Sequence, residues 1–249
     1  MTVDARPGGS RAAIRPVERP VPLRQSVYDA LLELVVEGRL GPGEHLVETD
    51  LAHQLGVSRQ PVREALHRLE AEGWVDLRPN QGAFVHVPTD QEVDELLDVR
   101  ELLEVETARL AATAATADQL ARLREICQRG QAAVQAGDTL RFVAVNSEFH
   151  AELAQVAGNA VLAELAGIVG RRVRWYYRLV APLRGRESCA EHLQMVAALE
   201  AGDARGASEI ARRHTVHFVT ERPGVALDLG DDFFAPPEAL ERRCAGLFR

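Results

Sequence analysis

Residues 47–73 read VETDLAHQLGVSRQPVREALHRLEAEG, which is two short helical patterns separated by a break. The first pattern ends at Gly56, a residue type favoured just past helix C-termini. Ser58 is then a good N-cap for a second helix. Apolar residues of this second helix recur three or four positions apart, at Val62, Leu66 and Leu69. The stretch therefore predicts two helices joined by a tight turn.

The flanking sequence extends this pair to a larger module over residues 21–88. An amphipathic pattern begins at Leu23 and ends near Gly38, and the glycines and proline of 41–43 then make a turn. After the second helix, two runs of alternating polarity surround the turn residues 79–82. Three short helices followed by a hairpin predict a winged helix-turn-helix.

Beyond residue 88 the composition shifts to alanine, leucine, glutamate and arginine, and the pattern becomes helical throughout. We predict an all-α bundle of six or seven helices over 89–221, which makes the fold class mainly α. The predicted helices cover 90–115, 118–136, 138–157, 159–180, 187–201 and 203–220, with a break at Pro182. Residues 1–20 are predicted to form a disordered arm, and 222–249 form a tail to which we assign no role.

Composition excludes several classes of protein. The 249 residues carry a net charge of −8, which argues against a uniformly basic nucleic-acid binder, and every cationic side chain is arginine. Three widely spaced cysteines exclude a disulfide-stapled fold. No apolar run reaches the ~18 residues of a membrane span, and the first twenty residues lack the core of a signal peptide. We therefore expect a cytoplasmic protein with no membrane partner.

The second helix of the pair could read DNA. Its outward face carries Arg59, Gln60 and Arg63, and side chains four positions apart lie along one face of a helix. Arginine can donate two hydrogen bonds to guanine in a major groove. Ser58 at the helix start suits a phosphate, and Gly82 at the hairpin tip allows close approach of the backbone to DNA. The alternatives are a merely solvated face or a protein-docking module.

The bundle contains a candidate metal site. Asn146 and His150 lie four residues apart on one helix, and His192 and His214 lie on later helices. Three imidazoles plus an oxygen suit a divalent metal such as zinc or nickel. Arginines on the first and fourth bundle helices could clamp the far end of an organic acid: Arg100, with Arg171 or Arg174. Histidines this far apart are also often unrelated surface groups.

A metal-dependent hydrolase using the three histidines is the alternative function. Such an enzyme needs a general base beside the metal-bound water. Glu191 adjoins His192, but successive helical side chains diverge by about 100°, and Glu148 is no better placed relative to His150. The chain also lacks HExxH, GxSxG and nucleotide-binding motifs. A ligand sensor is therefore favoured over an enzyme.

The amino-terminal module resembles the DNA-binding domain of GntR-type bacterial regulators. The residues that carry this resemblance are Val47, Glu48, Leu51, Ala52, Leu55, Gly56, Val57, Ser58, Arg59, Pro61, Val62, Arg63, Glu64, Ala65, Leu66, Leu69, Glu72, Gly73, Asn80 and Gly82. The resemblance implies that Ser58, Arg59 and Arg63 contact DNA and that Gln60 varies between relatives and reads sequence. Thr49 stands where some relatives have an arginine that also contacts DNA.

The bundle resembles the FCD effector domain of the FadR-like branch of that family. The matching residues are Arg100, Glu104, Asn146, Phe149, His150, Glu191, His192, Ala198, Leu199, Gly202, Asp203, Ala207 and His214. The resemblance implies metal ligation by Asn146, His150, His192 and His214, although many relatives have aspartate at the first position. We further expect two chains to pair through their bundles or their DNA-binding modules and to bind a near-palindromic operator as a homodimer. Because a cation in the bundle would attract an anion, we expect the effector to be a small carboxylate. Effector-dependent release and effector-dependent strengthening of DNA binding both agree with the sequence.

Overall fold

Three helices and a small sheet form the amino-terminal part of the structure, a computed structural model that describes residues 22–220. Within that range, only the backbone is described at 177–183 and 216–220, and the predicted arm and tail lie outside the described residues. The elements are α1 Leu23–Val36, β1 His45–Leu46, α2 Glu48–Leu55, α3 Arg59–Ala71, β2 Val75–Arg78 and β3 Gly82–Val85. The predicted winged helix-turn-helix is therefore confirmed.

The core of this module follows the apolar spacing of its helices. Val62, Leu66 and Leu69 of α3 are buried in one cluster with Leu31 and Val35 of α1. Because these residues fall on one face of each helix, the opposite face of α3 stays in solvent.

The sheet contains a strand that the sequence did not predict. β1 pairs antiparallel with β3, so that the strand order is β1-β3-β2 and His45 lies opposite Phe84. A strand of two residues is too short to produce an alternating pattern.

Five helices follow in the described residues. They are α4 Asp90–Ala114, α5 Ala117–Gln135, α6 Thr139–Val156, α7 Ala160–Glu200 and α8 Ala204–Thr220. Side chains cap the starts of four of them: Thr89 and Thr116 form capping boxes, and Asp138 and Asn159 accept from backbone amides. The mainly α fold class, with an all-α carboxy-terminal bundle, is confirmed.

The predicted break at Pro182 is wrong. α7 runs without interruption for 41 residues, so that the helices predicted over 159–180 and 187–201 are one, and the described bundle has five helices instead of six or seven. A proline inside a helix removes one hydrogen bond and costs about 3 kcal/mol. Packing of α7 against α4, α5, α6 and α8 outweighs that cost. Even α7 lacks an apolar stretch long enough to cross a bilayer, as does every other helix in the described range.

α7 also docks the bundle onto the amino-terminal module. The rings of Trp74 and Trp175 lie 5.6 Å apart, and both residues are buried in a single cluster. The guanidinium carbon of Arg172 lies 4.5 Å from the Trp74 ring centroid. Arg172 also donates to the carbonyl oxygens of Glu72 and Gly73, directly after α3. The end of α3 is therefore held by α7.

Candidate DNA-binding face and metal centre

The exposed face of α3 presents two arginines that share one carboxylate. Arg63 donates from Nε and Nη2 to the two oxygens of Glu48, at 2.9 and 2.8 Å. Arg59 Nη2 donates to Glu48 Oε2 at 3.1 Å. Hydrogen bonding from Arg63 is the main reason that the pKa of Glu48 falls from 4.5 to about 2. Glu48, at the start of α2, therefore holds both guanidinium groups on one side of α3.

The start of α3 leaves a hydroxyl group available. Ser58 occupies the N-cap position with extended backbone angles, but its side chain makes no capping hydrogen bond. A free hydroxyl beside the first amide groups of a helix suits an anion such as a phosphate. Gln60, also exposed, donates to Glu64 at 2.9 Å and can exchange that bond for a base edge.

Gly82 begins β3 and requires the absence of a side chain. Its φ is +98°, and a Cβ atom there would lie 2.8 Å from Nε2 of His45. His45 stacks on Phe84, with ring centroids 4.7 Å apart. Glycine is therefore needed at position 82 because the ring of His45 on β1 packs against it, a contact that the sequence alone does not predict.

Three histidines from three different helices converge inside the bundle. His150 of α6, His192 of α7 and His214 of α8 each offer a ring nitrogen, and these atoms lie within 4.8 Å of one another. His192 and His214 are buried, and His192 stacks on Phe149 at 4.0 Å between centroids. The structure therefore brings together the three predicted imidazoles, which were spread over sixty-five residues of the sequence.

Carboxylates support two of these rings from outside the cluster. Oε2 of Glu191 lies 2.7 Å from Nδ1 of His214, and Oε1 of Glu104 lies 3.3 Å from Nδ1 of His150. Arg184 donates to Glu191, and Arg100 donates to Glu104 at 2.7 Å. One ion pair therefore belongs to α4 and the other to α7, and each contacts one ring of the cluster.

Burial sets the charge state of the imidazoles. It lowers the pKa of His150 to about 3, against the opposing effect of Glu104, and it lowers the pKa of His192 well below the usual value. Burial alone would raise the pKa of Glu104, but the neighbouring positive groups, of which Arg100 has the largest effect, together outweigh burial and lower that pKa to about 2. The two rings are therefore neutral, which is the form that binds metals.

The donor set fits a divalent metal. Nε2 of His150 and Nε2 of His192 are buried and have no hydrogen-bond partner. In a tetrahedral zinc site with Zn–N bonds of about 2.1 Å the nitrogens lie about 3.4 Å apart. The nitrogens here lie within 4.8 Å of one another, so the rings would move slightly closer together around an ion. Asn146 is buried one turn before His150 and accepts from Ser188 at 3.3 Å. Its amide oxygen has a second lone pair to offer.

A cavity of about 320 Å³ opens beside the cluster, between α4, α6 and α7. Its lining includes two of the four predicted metal ligands, Asn146 and His150, and all three predicted effector arginines, Arg100, Arg171 and Arg174. Arg100 is buried, whereas Arg171 is exposed. Arg174 Nη1 also lies 3.3 Å from Oε1 of Glu33 on α1. The cavity therefore combines cationic groups with the edge of the candidate metal centre.

Three acidic residues with roles at these sites were not predicted as site residues. Glu48 and Glu104 belong to the motifs quoted above, but only as part of a family pattern. Glu191 was rejected as a catalytic base, and the structure instead pairs it with His214. The sequence around Glu191 does not indicate this pairing, because His214 lies on another helix.

Two family models match the chain. The model described as "Bacterial regulatory proteins, gntR family" matches residues 23–85, and the model described as "FCD domain" matches 95–217. The first match covers α1 to β3, and the second covers the bundle with the three histidines.

Named relatives extend over most of the chain. It is 33% identical over 168 residues to the Nta operon transcriptional regulator of Aminobacter aminovorans, covering 67% of this chain and 78% of that protein. It is 30% identical over 190 residues to the HTH-type transcriptional regulator McbR of Escherichia coli K12, covering 75% and 86%. A solved structure of E. coli McbR/YncC matches with a TM-score of 0.71 and 28% identity, covering 80% of this chain and 96% of that one.

Proposed function

The chain belongs to the GntR family of bacterial regulatory proteins, with an FCD domain after its DNA-binding domain, and we propose that it is a metal-assisted sensor of a small carboxylate. It is a transcription regulator and not an enzyme, because both domains and the named relatives are regulatory. We further propose that residues 21–88 bind operator DNA and that residues 89–221 bind the effector. The observation that carries the proposal is the convergence of three imidazoles, two of them buried, beside a cavity lined by arginines.

The proposed regulator binds a near-palindromic operator as a homodimer. Each copy presents α3 to one major groove, and two such helices read successive groove faces about 34 Å apart. Arg59, Gln60 and Arg63 contact base edges or phosphates, Ser58 contacts a phosphate, and Gly82 brings the hairpin close to the backbone. The exposure of Arg59 and Arg63 and their position on the face opposite the α3 core support this assignment.

The effector site combines a cation with arginines. Asn146, His150, His192 and His214 would hold zinc or nickel, and the ion would attract one carboxylate of the effector. Arg100, Arg171 and Arg174 would bind its other polar end by charge-assisted hydrogen bonds. The neutral Asn146, where many relatives have aspartate, leaves the site more positive and so more attractive to an anion. A cavity of about 320 Å³ suits a small acid.

The effector can alter DNA affinity only if it favours one placement of the DNA-binding domain over another. Arg174 offers a direct route, because it lines the cavity and also pairs with Glu33 of α1. A bound carboxylate competes with Glu33 for this guanidinium. Arg172, two residues earlier, contacts the end of α3. A shift of α7 therefore reaches both the first and third helices of the DNA-binding domain.

The proposal is tested in three steps on the full chain. Elemental analysis of the purified protein should find about one zinc or nickel ion per chain, and His214→Ala should lower that content. A thermal-shift screen of small mono- and dicarboxylates should then raise the melting temperature of the wild type but not of the variant. Each acid that binds is finally titrated against an operator selected from a random DNA pool. An acid that stabilises the protein without changing operator affinity would refute sensing.

A further inference from the structure

A buried chain of charged groups ends on one of the three imidazoles. Oε2 of Glu191 lies 2.7 Å from Nδ1 of His214 and 3.2 Å from Nη2 of Arg184. All three side chains are at most 8% exposed. Arg184 and Glu191 belong to α7, whereas His214 belongs to α8. The carboxylate therefore joins the two helices at the level of the candidate metal centre.

This contact decides which nitrogen of His214 has a lone pair that can bind a metal. A neutral imidazole carries one hydrogen, and a carboxylate at Nδ1 accepts it. The lone pair is then on Nε2, at the opposite edge of the ring. In metal sites such a hydrogen bond fixes both the tautomer and the orientation of the ligand ring.

His150 lies beside a carboxylate in a similar way, but at a longer distance. Its Nδ1 faces Oε1 of Glu104 at 3.3 Å, and its Nε2 is buried without a hydrogen-bond partner. Glu104 is itself held by Arg100 at 2.7 Å. Two rings on different helices are thus each backed by an arginine-held carboxylate. If these carboxylates served only to join helices through ion pairs, nothing would require both of them to lie at Nδ1 of a histidine.

We propose that Glu191 is a positioning residue for the metal, which holds His214 with Nε2 directed at the ion, and that Arg184 keeps Glu191 in place. Glu104 has the corresponding role for His150. This inference rests on the proposed metal centre, and it assigns to Glu191 a function through His214 without direct contact with the ion.

A structural ion pair between α7 and α8 would predict a different result on substitution. Loss of such a pair lowers the stability of the whole bundle but leaves the intrinsic zinc affinity of the folded protein unchanged. Loss of a positioning residue lowers zinc affinity even where the protein stays folded, by about 10- to 100-fold in comparable sites. Zinc affinity and metal-free stability must therefore be measured separately.

The test compares Glu191→Ala and Glu191→Gln with a matched control, Thr215→Val. Thr215 is buried beside His214 in the chain, but its hydroxyl donates to carbonyl oxygens of α8 itself. Zinc affinity is measured by competition with a chromogenic chelator, and metal-free stability by thermal unfolding. We expect Glu191→Ala to weaken zinc binding about 10- to 100-fold. Glu191→Gln should weaken it less, because its amide oxygen still accepts from Nδ1, and Thr215→Val should leave it unchanged.

His214→Ala separates failure of this inference from failure of the proposed function. If His214→Ala loses zinc while both Glu191 variants keep the wild-type affinity, the positioning role is wrong and the metal centre stands. If the wild type and His214→Ala bind zinc equally, the metal centre itself is wrong and the inference fails with it. Should Glu191→Ala not fold, Glu191→Gln against Thr215→Val decides, and equal affinities for those two would overturn the proposal.

Discussion

Replacing Arg63 by alanine should weaken operator binding much more than it weakens the protein. Among the described residues of the free protein, Arg63 forms hydrogen bonds only with Glu48, and the two make an exposed ion pair on the surface of α3. Such pairs contribute about 0–1 kcal/mol to stability. A bidentate contact of arginine with guanine discriminates by about 1–3 kcal/mol, which corresponds to about 5- to 150-fold in affinity for each half-site. The loss in DNA binding should therefore exceed any loss in stability.

The chain supplies a matched control on the same helix. Arg68 has nearly the same side-chain exposure as Arg63, 48% against 47%, and it also forms an ion pair, with Glu72. It lies over the ring of Tyr28 on α1, on the side of α3 away from Glu48. Removing Arg68 therefore removes an equal charge from α3 without touching the proposed reading face.

Fluorescence anisotropy with a selected operator, at several salt concentrations, measures both effects. If Arg63 contacts a base, Arg63→Ala relaxes sequence preference at one position in each half-site. If it contacts a phosphate, the salt dependence of binding becomes shallower by about one counterion. Arg68→Ala should change neither property. Equal losses for Arg63→Ala and Arg68→Ala would refute the assignment of a DNA-reading face to this side of α3.

Three further outcomes follow from contacts in the structure. Gly82→Ala places a Cβ atom 2.8 Å from His45 at a φ of +98°, so it should lower the free energy of unfolding by about 1–3 kcal/mol. Thermal unfolding measures this loss. Adding His45→Ala should remove the steric clash but not the backbone strain, so it should restore only part of the stability. The pKa of Glu48 falls from 4.5 to about 2, so its stabilisation is present above pH 4.5 and is lost as the pH falls towards 2. In urea unfolding the difference in free energy of unfolding between the wild type and Glu48→Gln should therefore become smaller as the pH is lowered. A difference that stays constant with pH would contradict the pairing of Glu48 with the arginines. Arg172→Ala should reduce the change in operator affinity that an effector causes, without changing the metal content. If that change in affinity stays as large as in the wild type, the contact of Arg172 with the end of α3 does not link effector binding to DNA binding.

The DNA-binding domain was predictable because its signals are local. Gly56, Ser58 and the apolar spacing of α3 lie within one short stretch, and helix caps depend on residues a few positions apart. The family resemblance of this stretch is confirmed by the matching domain model. The pairing of Glu48 with Arg63 was not predicted, because the two residues are fifteen positions apart on different helices. Their contact depends on the angle between α2 and α3, which periodicity does not specify.

The bundle was predictable as a fold class but less so in its details. Helical periodicity identified most of its elements, but Pro182 suggested a break that packing overrides. Spacing alone gave only weak support to a joint site of His150, His192 and His214, and the FCD resemblance was needed to connect them. Neither the spacing nor the resemblance predicted that Glu104 and Glu191 would contact the histidines. Glu191 and His214 are 23 positions apart, and their contact requires the relative rotation of α7 and α8.

The continuity of α7 changes how the two domains are expected to communicate. A break at Pro182 would have left the segment around Pro88, which joins β3 to α4, as the simplest route from the bundle to the DNA-binding domain. One unbroken helix instead carries Arg172 at the end of α3, Arg174 at the cavity and His192 at the candidate metal centre. Helices in packed interfaces shift by small discrete steps, since close packing does not allow continuous deformation. Any effector that favours one position of α7 would therefore act on the candidate metal centre, the cavity and α3 at once, without requiring a change in the segment around Pro88.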